Sequence, residues 1–401
     1  MTRRERIIAA LEHLTPDRIP IDLGGMDSTG ITGIAYRKLK QYLGLIETPV
    51  LVWEPSQQLA MVEIPVLERI GACVLPIFPQ SLHWKKAFLP DGSICQVPSR
   101  WQPYLQPDGS EVILDENGQV TLRRPTNGHY FEVANFPLQG AKTVRDIEKN
   151  RHLLERFDLF TLADETYEEM GKRAGRLYQE TDFALMGNFS VHLFAAGQLL
   201  RGFEQFLIDL ATDSPLAHCL LENLVSIYTE RFDRFQKAVG CYVQVINVND
   251  DLGMQEGPLL SPSLYRRTIK RYQQSLYQHI RKNSKAKLFL HTDGSVYQIL
   301  PDLIDIGVQV LNPIQFSCRD MELRKLKKKF GKDLVFWGGG CDTQKILPFA
   351  TPDEVRQHVT ECISVLAPEG GFVFSQVHNI QPDVPPENIM AMYQAVHDWK
   401  G

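Results

Sequence analysis

The chain has 401 residues, 43% of them hydrophobic and 23% charged, a soluble globular balance with length for two domains or one large α/β barrel. A formal charge of −5 and a pI near 6.1 exclude general attraction to nucleic acid or anionic membrane. Seven cysteines, at 73, 95, 219, 241, 318, 341 and 362, form no CxxC pair, so neither a zinc ribbon nor a disulfide framework is indicated; reduced thiols in the cytoplasm are expected.

Taken in chain order, the opening MTRRERIIAALEHLTPDRIP breaks every apolar stretch with charge, so it reads as a helical extension and not as a signal peptide. No segment approaches the length of a membrane span. Apolar runs rich in β-branched residues then recur, each followed by a helix-like stretch. RIPIDLGG from Arg18 and ACVLPIFP from Ala72 come first. At about 84–150 the pattern changes, and repeated DG and NG pairs between alternating residues predict β-hairpins inserted in the larger fold. FALMGNFS from Phe183 and YVQVINVND from Tyr242 resume the march. KLFLHTD from Lys287, VQVLNPIQ from Val308, LVFWGGG from Leu334 and GFVFSQVHN from Gly371 complete it. Helices between them begin at Ser214-Pro215, Ser261-Pro262 and Thr351-Pro352, a capping hydroxyl followed by proline at the first helical position. The basic run RKLKKKFGKD reads as a solvated helix face. Eight strands alternating with helices predict an α/β TIM barrel of one domain, 1–401, with an open doubly wound sheet as the alternative.

Chemistry in such a barrel collects where strands end and loops begin. The strand ends here are polar: Asp22, Asn188, Asn249, Asp250, Asp251, His291, Asp293, Asn312, Gln315, Gln376, His378 and Asn379. Singly, an Asp or Asn after a strand serves as readily in a turn or a helix cap. His291, Asp293 and His378 form the sharpest subset. Side chains at i and i+2 leave one face of a strand. That rule groups Phe289 with His291 and Asp293, and Phe372 with Phe374, Gln376 and His378. Two imidazoles and a carboxylate from separate strands make a donor set for a catalytic divalent ion. Gly338, Gly339 and Gly340 lack a P-loop's Lys-Ser/Thr ending and mark a place where backbone can approach a ligand closely.

RRERIIAALEHLTPDRIPID, DDLGMQEGPLLSPSLYRRTIKRY, LHTDGSVYQILPDLIDIGVQVLNPIQ and VHNIQPDVPPENIMAMYQAV together resemble, in order and over nearly the whole chain, the uroporphyrinogen decarboxylase superfamily. The resemblance implies a TIM barrel and one of two chemistries. One branch decarboxylates the acetate arms of a tetrapyrrole without metal or cofactor. The other moves methyl groups to or from a corrinoid, usually with zinc. The decarboxylases carry an arginine motif, M-R-Q-A-G-R, near the N-terminus; the corresponding region here, DLGGMDSTGITG, has no arginine, although a polyanionic porphyrinogen needs cationic partners. The methyltransferases hold zinc through a His-x-Cys motif and a later Cys before P-x-x-P-x-E-N, positions that become His291, Asp293 and His378. His378 also falls where the decarboxylases keep a histidine.

Exchanging both thiolates for a carboxylate and an imidazole gives a harder, more Lewis-acidic site matched to an oxygen ligand. The resemblance therefore implies a methyltransferase using zinc or another divalent metal, with a small methoxy compound as methyl donor. Cobalamin would be carried by a partner protein, since the chain has no D-x-H-x-x-G segment. Asp250 or Asp251 is expected as fourth ligand or proton source. Asp22, Asn188, Asn249, Asn312, Gln315 and Gln376 are expected to contact substrate. A homodimer is among the expected assemblies, and no nucleic acid or membrane is expected as partner. Tetrapyrrole decarboxylation is the alternative, and a small-molecule-binding barrel without turnover a second one.

Overall fold

The structure, a computed structural model, describes residues 1–45, 48–126, 128, 130–156 and 162–400. Seven parallel strands form one sheet, each paired with its neighbour in sequence. They are β1 (Val74–Ile77), β2 (Ala184–Asn188), β3 (Val245–Asn249), β4 (Lys287–His291), β5 (Val310–Asn312), β6 (Val335–Trp337) and β7 (Phe372–Val373). The eighth expected strand, from Arg18, is reduced to a bridge. Ile21 pairs in parallel with both Ala72 and Phe374, with Asp22 N 2.8 Å from Phe374 O and Cys73 N 2.7 Å from Ile21 O. Pro20 has no N–H to extend this ladder, and after Asp22 the chain turns away into a loop. The two sheet edges meet at Ile21, which closes the cylinder and sets aside the open-sheet alternative.

Alternate strand residues point inward. Val74, Met186, Val245, Phe289, Val310 and Trp337 pack in a cluster of their own, closed at the N-terminal side by Ile7, Ala10 and Leu11 of the helix Arg3–Leu11. The helical extension is thus a plug, held by the Arg4 guanidinium on the carbonyls of Phe183 and Tyr178. The same inward parity, continued toward the C-terminal ends, reaches Asn188, Asn247, Asn249, His291 and Asn312, all buried. In β7 the expected parity fails. Val373 is the inward residue, while Phe372 and Phe374 join the outer core beneath the helices. Strand structure ends there, and alternation does not carry through the bend to His378.

The helix starts are as expected. Ser214 caps Pro215–Val239, Ser261 caps Pro262–Thr268, and Thr351 forms a capping box on Pro352–Leu366. Beyond Ile269 the second of these continues as a separate helix, Lys270–Asn283. The basic run lies on Leu323–Phe330 and is not wholly solvated: Lys327 donates to Gly370 O (2.6 Å), and burial lowers its pKa to about 8. The glycines after β6 are closely packed against their neighbours. A Cβ on Gly339 would lie 2.7 Å from Ile314, and one on Gly340 would overlap the Phe374 ring.

Within the insertion, Trp84–Phe88 and Ile94–Pro98 form a hairpin. Tyr104–Leu105, Glu111–Leu114, Val120–Arg124 and Glu132–Val133 form a four-stranded antiparallel sheet. Gly92, Gly109 and Gly118 adopt φ near +75 to +79°, as the DG and NG turns require; Asn127, in the last such pair, lies outside the described residues. Unforeseen in the sequence, Val50–Glu54 pairs in parallel with Ile94–Pro98 and ties the insertion to the first part of the chain. β-structure ends at Val133, and the helix Val144–Lys149 follows. The seven cysteines are free. Among the described residues no helix is long and apolar enough to cross a membrane.

Candidate metal centre

His291 is the last residue of β4, in register with Asn249 of β3 and Asn312 of β5. Its Nδ1 lies 2.8 Å from Asn312 Oδ1 and 3.0 Å from Ser28 Oγ. The Asn312 amide is oriented by its own Nδ2, which donates to Trp337 O at 2.8 Å. Oδ1 therefore faces the imidazole and can only accept, so the ring proton resides on Nδ1. Nε2 is left with its lone pair pointing away, the arrangement that orients metal-binding histidines.

That free Nε2 lies 4.0 Å from Asp293 Oδ2 and 3.9 Å from Asp251 Oδ1, and His378 Nε2 lies 3.7 Å from Asp293 Oδ2. One donor atom each from His291, Asp293 and His378 falls within 4.8 Å of the others. Tetrahedral donors at zinc distances stand about 3.4 Å apart, so the two contacts of Asp293 need to close by about half an ångström and the widest separation by up to roughly 1.4 Å for the three to share an ion. The donors fit a divalent metal in chemistry as well as spacing. Asp251 Oδ1 also accepts from Asp293 N (3.0 Å), which couples the two acidic loops. Burial pushes the His291 pKa down, but Asp293, Asp251 and Asp27, with the Asn312 bond, outweigh it and raise the net value. Among the described residues, the hydrogen bonds and ion pairs of these side chains include no lysine or arginine.

Several expected site residues are engaged in hydrogen bonds within the fold. Asp250, expected as ligand or proton source, is a buried helix cap. Its carboxylate accepts from Leu193 N (3.1 Å), Phe194 N (2.8 Å), Ala195 N (3.0 Å) and Gln273 Nε2 (2.8 Å), at the start of Phe194–Arg201. Its neighbour Asp251 is the one whose carboxylate approaches His291 Nε2, at 3.9 Å. Asn312 positions His291, as above. Gln315 Oε1 accepts from Gly294 N at 2.7 Å and steadies the Asp293 turn. Gln376 Nε2 donates to Thr29 O (3.0 Å), and Asn188 Nδ2 to Gly25 O (2.8 Å), both fastening the loop 22–30 over the barrel end, while Gln376 Oε1 and Asn188 Oδ1 are buried without a partner. Asn249 Oδ1 accepts from Asn247 Nδ2 (3.1 Å).

Asp22, expected to touch substrate, is fully buried, with Gly25 N and Trp337 Nε1 each 2.8 Å from its oxygens. Burial raises its pKa to about 6 against those bonds. A carboxyl raised in the folded state adds stability at low pH and loses it as pH rises through the folded pKa. We expect the stability advantage of the parent chain over Asp22→Asn to shrink by roughly 3 kcal/mol between pH 4 and 7, as measured by denaturant unfolding at stepped pH. A gap independent of pH would show that Asp22 stays ionised throughout.

Four residues near the centre escape sequence reading. Ser28 and Asp27 lie in an irregular loop with no period to follow. Asn247 carries a usable signal, since it precedes Asn249 by two positions in one strand; Ser190 Oγ lies 3.1 Å from its Oδ1. The fourth, His192, sits just past β2, and its Nε2 is buried without a partner.

A closed parallel barrel with a two-imidazole, one-carboxylate donor set at the C-terminal strand ends defines the class: a TIM barrel with a candidate site on its βα loops. Residues 156–399 match the family model "Uroporphyrinogen decarboxylase (URO-D)", and the chain belongs to that family. A uroporphyrinogen decarboxylase from Legionella pneumophila (strain Corby) is 26% identical over 202 residues, 49% of this chain and 52% of that one. One from Psychromonas ingrahamii is 26% identical over 188 residues, 46% of this chain and 48% of that one. The chain thus spans about half the length of the curated relatives it matches. A methyltransferase from Methanosarcina mazei shares the fold over 99% of both chains, with a TM-score of 0.59 at 18% identity.

Proposed function

We propose that the protein is a metal-dependent methyltransferase that takes a methyl group from a small methoxy compound and passes it to a corrinoid carried on a partner protein. The observation that carries this reading is the spacing of His291, Asp293 and His378 around one point, with the His291 tautomer set by Asn312. Zinc bound there would supply Lewis acidity toward the donor's oxygen. The chain's own part is to present Nε2 of His291 unprotonated, to hold Asp293 through Asp251 and Gln315, and to keep the loop 22–30 closed over the barrel end. The carboxylates Asp27, Asp251 and Asp293 make the mouth a poor receiver for a polyanion. Tetrapyrrole decarboxylation is kept as the second reading because the relatives above carry that name and His378 occupies the position where the decarboxylases keep a histidine.

Purified zinc-loaded protein is expected to demethylate methanol or 2-methoxyphenol only when reduced cobalamin is supplied, with loss of donor followed by chromatography. Turnover of uroporphyrinogen by metal-free protein, with no demethylation under any of these conditions, would overturn the reading in favour of the second.

A further inference from the structure

His192 is not a member of the metal group, yet the chain delivers it beside that group. Val191 O accepts from Asn249 N at 3.1 Å, and Leu193 N donates to the Asp250 carboxylate at 3.1 Å. The residues on both sides of His192 are therefore stitched to the last residue of β3 and the one after it. The next residue, Asp251, is the one whose carboxylate lies 3.9 Å from His291 Nε2. Asp250 N is in turn bonded to His291 O at 2.9 Å. His192 is thereby anchored at the C-terminal end of β3, beside the segments that carry Asp251 and His291.

Its Nε2 is buried and has no hydrogen-bond partner. Leaving such an atom unpaired carries a desolvation penalty that folded proteins seldom accept. At a barrel mouth, a buried donor or acceptor without a partner is a place for a ligand's polar atom. The metal group itself is complete without His192, since its three donor atoms are supplied by other residues.

We propose that His192 contacts the substrate, its Nε2 hydrogen-bonding the oxygen of the methoxy compound that binds at the His291–Asp293–His378 centre. This rests on the function proposed above and adds a residue that recognises the donor's oxygen. Burial lowers the pKa of the ring, against the pull of Asp250, Asp251 and Asp27, which favours the neutral imidazole as a hydrogen-bond partner.

The test uses the zinc-loaded full chain, titrated calorimetrically with 2-methoxyphenol and with methanol, alongside His192→Ala and His192→Gln. Zinc content is expected to be the same in all three proteins. Affinity for the methoxy compounds is expected to fall about tenfold in His192→Ala, with His192→Gln recovering most of the loss because its amide can replace the hydrogen bond. In the parent chain, the ring nitrogen resonances of His192 should shift when either compound is added. Unchanged affinity in His192→Ala would overturn the assignment and leave a water as the orphan's partner. Loss of zinc in both variants would overturn it too, by making His192 a metal ligand. Parent protein that binds neither compound would also overturn it. Failure of the underlying function is recognised separately, by parent protein that holds no zinc at all.

Discussion

Substituting His291 or His378 by alanine is expected to lower zinc from about one per chain to below roughly a tenth, since a three-donor site that loses an imidazole keeps too few ligands. Elemental analysis after dialysis reads this directly, with circular dichroism to confirm that the variants fold. Asn312→Leu should weaken zinc roughly 10–100-fold while leaving every ligand in place, because it releases the His291 tautomer. The pH dependence has a definite sign. Asp293, Asp251 and Asp27 raise the His291 pKa in the metal-free site, so protons compete for Nε2 at a higher pH than at an ordinary imidazole. Zinc affinity should therefore fall as pH drops from neutral, and fall less steeply in Asp251→Asn, which removes one of those carboxylates. Full zinc occupancy in His291→Ala, or an affinity flat down to pH 5, would remove these side chains from the metal's coordination.

Asp250→Ala should cost about 3–5 kcal/mol of folding stability, one of the largest single-residue effects expected in this chain. The carboxylate serves three backbone N–H groups and the Gln273 amide in a buried setting, and alanine would leave all four without an acceptor. Asp250→Asn keeps one acceptor oxygen and should cost roughly half as much. The denaturant midpoint measures both. A variant that unfolds like the parent but no longer turns over would instead place Asp250 in the chemistry.

The contrast between Asp250 and Asp251 shows where sequence reasoning stops. Side by side in INVNDDLG, the two carboxylates have identical chemistry, and nothing in the run tells which one turns inward. Which of them caps a helix depends on where Phe194–Arg201 begins, more than fifty residues earlier in the chain. Asn312 poses the same problem. As an asparagine after a strand it reads as a substrate contact or a turn residue, and only the Trp337 carbonyl on the next strand aims its oxygen at His291. For His378 the family motif before PDVPPEN leads to the right residue and strand alternation does not: alternation breaks at Val373, and the imidazole arrives through a bend.

Local information was sufficient wherever a residue's own neighbours set the outcome. The capping serines and Thr351, the glycine turns of the insertion and the pairing of His291 with Asp293 depend on contacts a few residues apart, and the strands β1 to β6 show in the apolar pattern of each run, so all are legible in the chain itself. The closure of the barrel through Ile21, the plugging of its base by Arg3–Leu11, and the division of polar residues into those that hold loops and those that converge on the candidate metal centre were decided by the tertiary structure. Those outcomes turn on hydrogen bonds between segments separated by up to several hundred positions, such as Asp22 with Trp337, and a polar side chain bonds whichever partner the folded chain brings within reach.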